Sequence, residues 1–179
     1  MLQQEAHSLT GRGAIRGDRI VLRPVAAADL PWLRSAVGEQ AVAMHWDTGD
    51  GAAWVDGLLD DDDVAPYVVE ADGRHIGFAQ WGEEEDPGYR CASIDLFLVT
   101  DAHGQGYGRE VVRTLATWLL RERGHHRIEI DPSATNEPAI RCYEAVGFRP
   151  IGVARRRERA ADGTWHDSLL MDLLAEDLR

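Results

Sequence analysis

The chain is poor in cysteine. It has two among 179 residues, Cys91 and Cys142, and both lie within otherwise apolar patterns. A cysteine in such a setting usually behaves as a small buried hydrophobe, and disulfides are rare in reducing compartments. The sequence therefore predicts two buried, reduced thiols rather than a disulfide, and a cytoplasmic protein.

Long apolar runs are also missing. No stretch approaches the ~20 residues that a transmembrane helix requires. The opening segment MLQQEAHSLTGRGAIRG has no apolar centre of the signal-peptide type. We predict a flexible N-terminal tail over residues 1–17, one domain over residues 18–179, and no membrane partner.

Positive charge is scarce. The chain has 19 Lys and Arg residues and 31 Asp and Glu residues, which gives a formal net charge of −12. A field of this sign repels nucleic acid and attracts cations, so no nucleic-acid partner is expected. The excess serves solubility alone unless the acids gather at a site, in which case a cationic ligand is favoured.

The hydrophobic periodicity predicts a single α/β domain with the element order βααβββαβαββ. PYVVEADGRHIGFAQW is typical of two strands joined by an Asp72-Gly73 hairpin turn. REVVRTLATWLL and NEPAIRCYEAVGF carry apolar residues at helical spacing. Because some strands are joined by hairpins and others by helices, the sheet must mix parallel and antiparallel pairs.

Three glycines lie between a long strand and a helix, in DAHGQGYG at residues 101–108. A dinucleotide fingerprint would need this loop early in a doubly wound series, and a Walker loop would need Gly-Lys-Ser/Thr. Neither condition is met. The loop is then either a tight turn or a pyrophosphate cradle, in which backbone N–H groups at a helix N-terminus bind phosphate oxygens.

The context favours the cradle. Residues 103–108 match the Q/R-x-x-G-x-G/A loop of the GCN5-related N-acetyltransferase (GNAT) superfamily, although His103 stands where Arg or Gln is usual. NEPAIRCYEAVGF matches that superfamily's C-terminal signature, and the resemblance runs from Asp18 onward. It implies a single GNAT domain of the α/β (α+β) class, with a central mixed, mostly antiparallel twisted sheet flanked by helices. It also implies acetyl-CoA as the co-substrate and no metal.

A narrower resemblance concerns the acceptor. PYVVEADGRHIGFAQW, EEEDPGYR, SIDLFLV and IDPSATNEPAIRCYEAVGF together resemble the aminoglycoside 6′-N-acetyltransferases, and MHWD is loosely similar to their aromatic-acidic segment. The resemblance implies direct acetylation of the 6′-amine of a cationic amino sugar in a ternary complex. The alternatives are an acyltransferase of the siderophore type, acting on hydroxylamines or amines, and a non-catalytic acyl-CoA sensor.

The resemblance also assigns residues to the coenzyme side. The resemblance makes Tyr143 the general acid for the leaving thiolate, whereas its place on an apolar helix face is by itself more typical of a core aromatic. Asn136 either binds the pantetheine arm or caps its helix, and a backbone N–H near Phe97 or Leu98 would stabilise the oxyanion. The full set expected to bind acetyl-CoA is Phe97, Leu98, Val99, His103, Gly104, Gln105, Gly106, Tyr107, Gly108, Arg109, Asn136, Ala139 and Tyr143.

Carboxylates are expected on the acceptor side. Asp95 interrupts an apolar strand, which is costly unless the carboxylate is paired or functional, and the resemblance makes it the group that receives the substrate amine. Asp131 is a second candidate, with the alternative that it caps the turn after its strand. The weaker candidates are Trp46, which is equally consistent with a core position, together with Asp47, Glu83 and Asp86.

The remaining clusters receive structural interpretations. His125 and His126 have no partner at metal-ligand spacing, so a zinc site is not expected. Arg155, Arg156, Arg157 and Arg159 are interpreted as an exposed strand face, which would contact the acidic face of another copy in a homodimer. The oligomeric expectation is a monomer or a homodimer.

Overall fold

A computed structural model describes residues 13–44, 46, 51–84, 86–160 and 163–179. The helices are α1 (Leu30–Val37), α2 (Gln40–Ala43), α3 (Gly51–Gly57), α4 (Tyr107–Arg121) and α5 (Glu137–Val146). The strands are β1 (Ile15–Arg16), β2 (Ile20–Pro24), β3 (Val64–Ala71), β4 (Arg74–Glu83), β5 (Ala92–Leu98), β6 (Arg127–Ile130), β7 (Arg149–Arg159) and β8 (Trp165–Leu174). The predicted element order is present, with β1 and α2 added.

The eight strands form one sheet in the order β1-β2-β3-β4-β5-β6-β8-β7. Strands β5 and β6 pair in parallel, and the other neighbours pair antiparallel. Helix α4 connects the two parallel strands, as a parallel crossover requires. The predicted α/β class, with a mixed and mostly antiparallel sheet, is confirmed.

The ordered domain begins earlier than the predicted boundary at residue 18. Ile15 and Arg16, which the sequence analysis placed in the tail, form β1 opposite Leu22 and Val21. The reason is apolar burial, because Ile15 is 6% exposed and packs into the main core. Residues 1–12 of that predicted tail lie outside the described part of the chain.

Each face of the sheet covers its own hydrophobic core. Ile94 and Leu96 of β5 belong to the core that α4 and α5 cover, whereas Phe97 belongs to the core beneath α1 and α3. Successive side chains along β5 therefore point to opposite faces of the sheet. No helix among the described residues is both long and apolar enough to cross a membrane.

The parallel strands β5 and β6 stay together for only two residue pairs, Ala92 with Ile128 and Ser93 with Glu129. Beyond Ser93, β5 continues along β4, while β6 remains paired with β8 as far as Ile130. The two halves of the sheet therefore separate, and residues 94–98 of β5 have no strand partner on their β6 side. This opening positions the candidate site.

Candidate active site

A cleft of about 1230 Å³ lies at the opening between β5 and β6. Its walls come from β5, from the glycine loop before α4, from the segment after β6 and from the first turns of α5. The predicted site residues that line it are Trp46, Asp95, Phe97, Leu98, His103, Gly104, Gly106, Gly108, Arg109, Asp131, Asn136, Ala139 and Tyr143. Residues from both predicted halves of the site, the donor half and the acceptor half, thus lie in one cavity.

The glycine loop has the backbone that an anion cradle requires. Gly104 and Gly106 have φ angles of 71° and 82°, in the left-handed region that favours glycine. Gly106 is the N-cap of α4, a helix of 15 residues, and the first amide groups of a helix have no intrahelical acceptor. A side chain built at Gly104 would have nothing within 4 Å. The loop therefore leaves room for phosphate groups above the positive end of the α4 dipole.

The backbone of β5 presents Leu98 to the cleft. Val99 donates its N–H to Ile76 O of β4 at 3.0 Å, and a Cβ at Gly77 would lie 2.4 Å from Phe97 O. The peptide groups of Val99 and Phe97 therefore face β4, and alternation turns that of Leu98 toward the opening. Accordingly, Leu98 O accepts a hydrogen bond from His103 Nε2 at 2.9 Å. Of the two expected oxyanion donors, only the Leu98 amide faces the cleft.

Helix α5 supplies the opposite wall. Asn136 caps it, because its Oδ1 accepts the N–H of Ala139 at 3.2 Å. Tyr143 lies about two helical turns after Asn136. It is 7% exposed, and burial raises the pKa of its phenol. Burial also raises the pKa of the adjacent Cys142 to about 11, so this thiol is protonated at neutral pH. Tyr143 is therefore both a core aromatic and a cleft residue.

Two carboxylates face the same cavity. Gln80 lies opposite Asp95 in the β4–β5 register and donates its Nε2 to Asp95 Oδ2 at 3.2 Å. Burial raises the pKa of Asp95, an effect that the Gln80 hydrogen bond opposes and the nearby charge of Asp131 reinforces. Asp131 itself accepts a hydrogen bond from Arg157 Nε at 2.6 Å. The arrangement can bind a cation beside an anion-binding loop.

The comparison with protein families agrees with this geometry. The Acetyltransferase (GNAT) family matches residues 31–148, well over half of the chain. The chain belongs to this family. Its cleft is therefore the cleft of a GNAT acetyltransferase domain.

Several individual proteins and solved structures are similar to this chain. The aminoglycoside N(6′)-acetyltransferase type 1 of Klebsiella pneumoniae is 30% identical over 155 residues, which cover 75% of this chain and 76% of that protein. The structure of AAC(6′)-Ib in complex with ribostamycin and coenzyme A superposes with a TM-score of 0.74 and 27% identity, covering 89% of this chain and 96% of that one. RimJ of Mycobacterium smegmatis, in complex with CoA-disulfide, gives a TM-score of 0.80 and 25% identity, with 93% and 88% covered.

Aromatic side chains line the same cleft as Asp95 and Asp131. Trp46 lines the cleft and also packs edge-on against Trp54 and Phe97, with ring centroids 5.7 and 5.3 Å apart. Both interpretations of Trp46, core residue and cleft residue, therefore hold. Asp47 lies outside the described residues.

Glu83 and Asp86 do not line the cleft that contains Asp95 and Asp131. Alternation along β4 places Glu83 on the same face as Trp81, away from Gln80, where it pairs with Arg123 at 3.0 Å and His125 at 2.9 Å. Asp86 is exposed and shapes its own loop, since its Oδ1 accepts the N–H of Gly88 at 2.7 Å. The expectation that these two acids line the acceptor site is not met by their positions.

Three residues expected to bind the coenzyme support the loop from outside the cleft. Gln105 donates its Nε2 to Asp101 O at 2.5 Å, Tyr107 lies under the guanidinium of Arg19 at 4.7 Å, and Val99 packs against the core beneath α1. Their side chains therefore hold the cradle rather than line it.

Sequence reasoning missed several cleft residues, among them Gln80, Trp54 and Arg157. Gln80 carried a usable signal, because it shares a strand face with Phe78 and lies opposite Asp95 in the antiparallel pair of β4 and β5. Arg157 carried none, since its direction depends on an irregularity in β7. Among the described residues, no three His, Cys, Asp or Glu side chains are grouped to hold a metal ion.

Proposed function

We propose that this GNAT domain transfers the acetyl group of acetyl-CoA directly to the 6′-amine of an aminoglycoside. The supporting observation is that two carboxylates, Asp95 and Asp131, share one cleft with the glycine loop at the N-terminus of α4. An anionic donor and a polycationic acceptor need this pairing of opposite subsites. The similarity to a 6′-acetyltransferase and to a ribostamycin complex supports the choice of acceptor.

The donor half binds the coenzyme through the main chain. The amides that begin α4 would hold the diphosphate, and the space between β5 and α5 would admit the pantetheine arm. The N–H of Leu98 then donates a hydrogen bond to the thioester carbonyl, and this bond strengthens as the oxygen becomes an oxyanion.

The acceptor half delivers a neutral amine. The amine nitrogen attacks the thioester carbon, the carbon–sulfur bond breaks, and the amide product forms with loss of one proton from nitrogen. Asp95 orients the amine and accepts that proton directly or through water, a task that its raised pKa favours. The charge of Asp131 attracts a further ammonium group of the same sugar.

The leaving thiolate meets Tyr143. Because burial raises its pKa, the phenol keeps its proton at neutral pH and donates a hydrogen bond toward the sulfur. No acyl-enzyme is required, since the pKa of about 11 at Cys142 leaves that thiol a poor nucleophile.

A matched pair of sugars tests the proposal. Neomycin B carries a 6′-amine, and paromomycin carries a hydroxyl at the same position. We expect neomycin B to release coenzyme A thiol from acetyl-CoA, with mass spectrometry placing the acetyl group on N6′, and paromomycin to show little turnover. Equal acetylation of both sugars would contradict 6′ specificity.

Two further arms test the alternatives. Turnover of an N-hydroxy diamine but of neither sugar would favour the siderophore-type reaction. Bound acetyl-CoA without turnover of any amine would favour a sensor.

A further inference from the structure

Strand β7 is irregular where it passes the acceptor cleft. Ala154 lies opposite Ser168, and the next registered pair is Glu158 with His166. Four steps along β7 therefore correspond to two along β8, so β7 carries two extra residues in a bulge. Bulges of this kind redirect side chains and occur next to active sites.

The bulge is held by an unusual backbone conformation. Arg156 has a φ of 51°, which is uncommon for a residue with a side chain. Its N–H donates to Asp167 Oδ1 at 2.8 Å, and this bond fixes the turn of the chain. A strained conformation held in this way at a cleft is consistent with a functional role.

The consequence is that Arg157 and Glu158 enter the lining of the cleft. The Arg157 Nε lies 2.6 Å from Asp131 Oδ2, and the side chains are 54% and 36% exposed. An ion pair this open to water is weak and opens readily. The guanidinium of Arg157 therefore occupies the carboxylate of Asp131, which would otherwise be open to an ammonium group of the proposed substrate.

We propose that Arg157 is a specificity-determining residue that competes with a substrate ammonium for Asp131. The inference rests on the proposed amino-sugar acceptor. An acceptor with an ammonium beside its reacting amine must displace Arg157, whereas one with a hydroxyl there leaves the pair intact. Arg157 thus reduces the preference for the more highly charged sugar.

Kanamycin A and kanamycin B test this directly, because they differ at the 2′ position, hydroxyl in A and amine in B, on the ring that bears the 6′-amine. The variant is Arg157→Gln, and the matched control is Arg159→Gln, which removes the same charge from the same strand outside the cleft. Dissociation constants are measured by titration calorimetry with coenzyme A present. We expect Arg157→Gln to tighten kanamycin B by about twofold to fivefold, the range of an exposed ion pair, with kanamycin A changed less.

Asp131→Asn supplies the second control. In that background Arg157→Gln should have no further effect on kanamycin B, because the contested carboxylate is gone. The proposal is overturned if Arg157→Gln weakens kanamycin B, if it matches Arg159→Gln, or if its effect survives Asp131→Asn.

The two proposals fail separately. If the wild type acetylates kanamycin and Arg157→Gln matches Arg159→Gln, this inference is wrong and the function stands. If no sugar is acetylated but Arg157→Gln tightens kanamycin B through Asp131, the reaction is wrong while the competition is real.

Discussion

Asp95 is a carboxylate in a strand whose neighbours on both sides are apolar. Its only hydrogen bond to a described side chain comes from the neutral amide of Gln80, and no described cation pairs with it. Burial therefore raises the pKa of Asp95, because no cation among the described residues offsets the effect of burial. An aspartate on the surface is a poor base, and the raised pKa makes Asp95 a better proton acceptor than such a residue.

The first prediction concerns the pH dependence of catalysis. As pH falls through the raised pKa, Asp95 gains a proton and no longer accepts one from the amine. The acidic limb of kcat/KM for the acceptor should therefore lie above the usual titration range of an aspartate. Asp95→Asn should lower kcat/KM by about 100-fold or more and leave the dissociation constant of coenzyme A within about twofold.

Asp86→Asn is the matched control for this variant, because it makes the same chemical change on an exposed loop outside the cleft. An acidic limb at the ordinary aspartate range, or equal kinetics for both variants, would reject the role given to Asp95.

The second prediction separates the two interpretations of Tyr143. Tyr143→Phe keeps the ring and removes the hydroxyl. Without a donor for the departing thiolate, kcat should fall by about 100-fold, while coenzyme binding changes by less than about twofold. Steady-state kinetics and thermal melts measure both, with Tyr89→Phe, 78% exposed, as the control. A lower melting temperature with unchanged kcat would make Tyr143 a core residue only.

At the scale of elements, the glycine loop is supported from the N-terminal hairpin. Arg19 lies in the β1–β2 turn and reaches the start of α4, where its Nε pairs with Glu110 Oε2 at 2.8 Å and its Nη1 donates to Gln105 O at 3.2 Å. Burial acts to raise the pKa of Glu110, but hydrogen bonds from Arg19 outweigh it and hold the pKa below its usual value. The turn thereby fixes the cradle at two points.

The third prediction follows from these contacts. Arg19→Ala frees the Gln105 carbonyl and removes the cation beside Glu110, so the loop should lose order and coenzyme A should bind about threefold to tenfold more weakly. Because the lowered pKa of Glu110 stabilises the fold at neutral pH, the variant should also melt lower there, and the difference should shrink as pH falls through the carboxyl range.

Arg16→Ala, an exposed arginine on the neighbouring strand, controls for lost charge. Melting and coenzyme titrations across pH test both effects. An unchanged coenzyme affinity would show that the cradle does not need this support.

Elements also show how far sequence reasoning reaches. The helices α4 and α5 and the hairpin β3–β4 were predicted because each carries its own signal: apolar periodicity, a cap at Asn136, or an Asp72-Gly73 turn. Strand β1 was missed because two residues are too short for a pattern, and the burial of Ile15 depends on distant residues. The β7 bulge has no local signal either, so the position of Arg157 was out of reach.

At the scale of the whole molecule, the net charge of −12 would act with opposite sign on acetyl-CoA and on the proposed amino-sugar acceptor. A field of this sign attracts a polycation such as an amino sugar and repels the anionic coenzyme. Local dipoles must therefore bind the donor against the overall field. The proposed acceptor would be attracted by the overall field and by the cleft carboxylates together.

The fourth prediction is a divergent salt dependence. Raising ionic strength from about 0.01 M to about 0.15 M shortens the screening length from about 30 Å to about 8 Å. We expect kcat/KM for neomycin B to fall by roughly tenfold as steering is lost, with kcat at saturation nearly constant. The KM for acetyl-CoA should stay level or fall, because screening also removes repulsion of the anion. Stopped-time thiol assays with each substrate varied in turn measure the three quantities, and a parallel rise in both KM values would contradict the electrostatic argument.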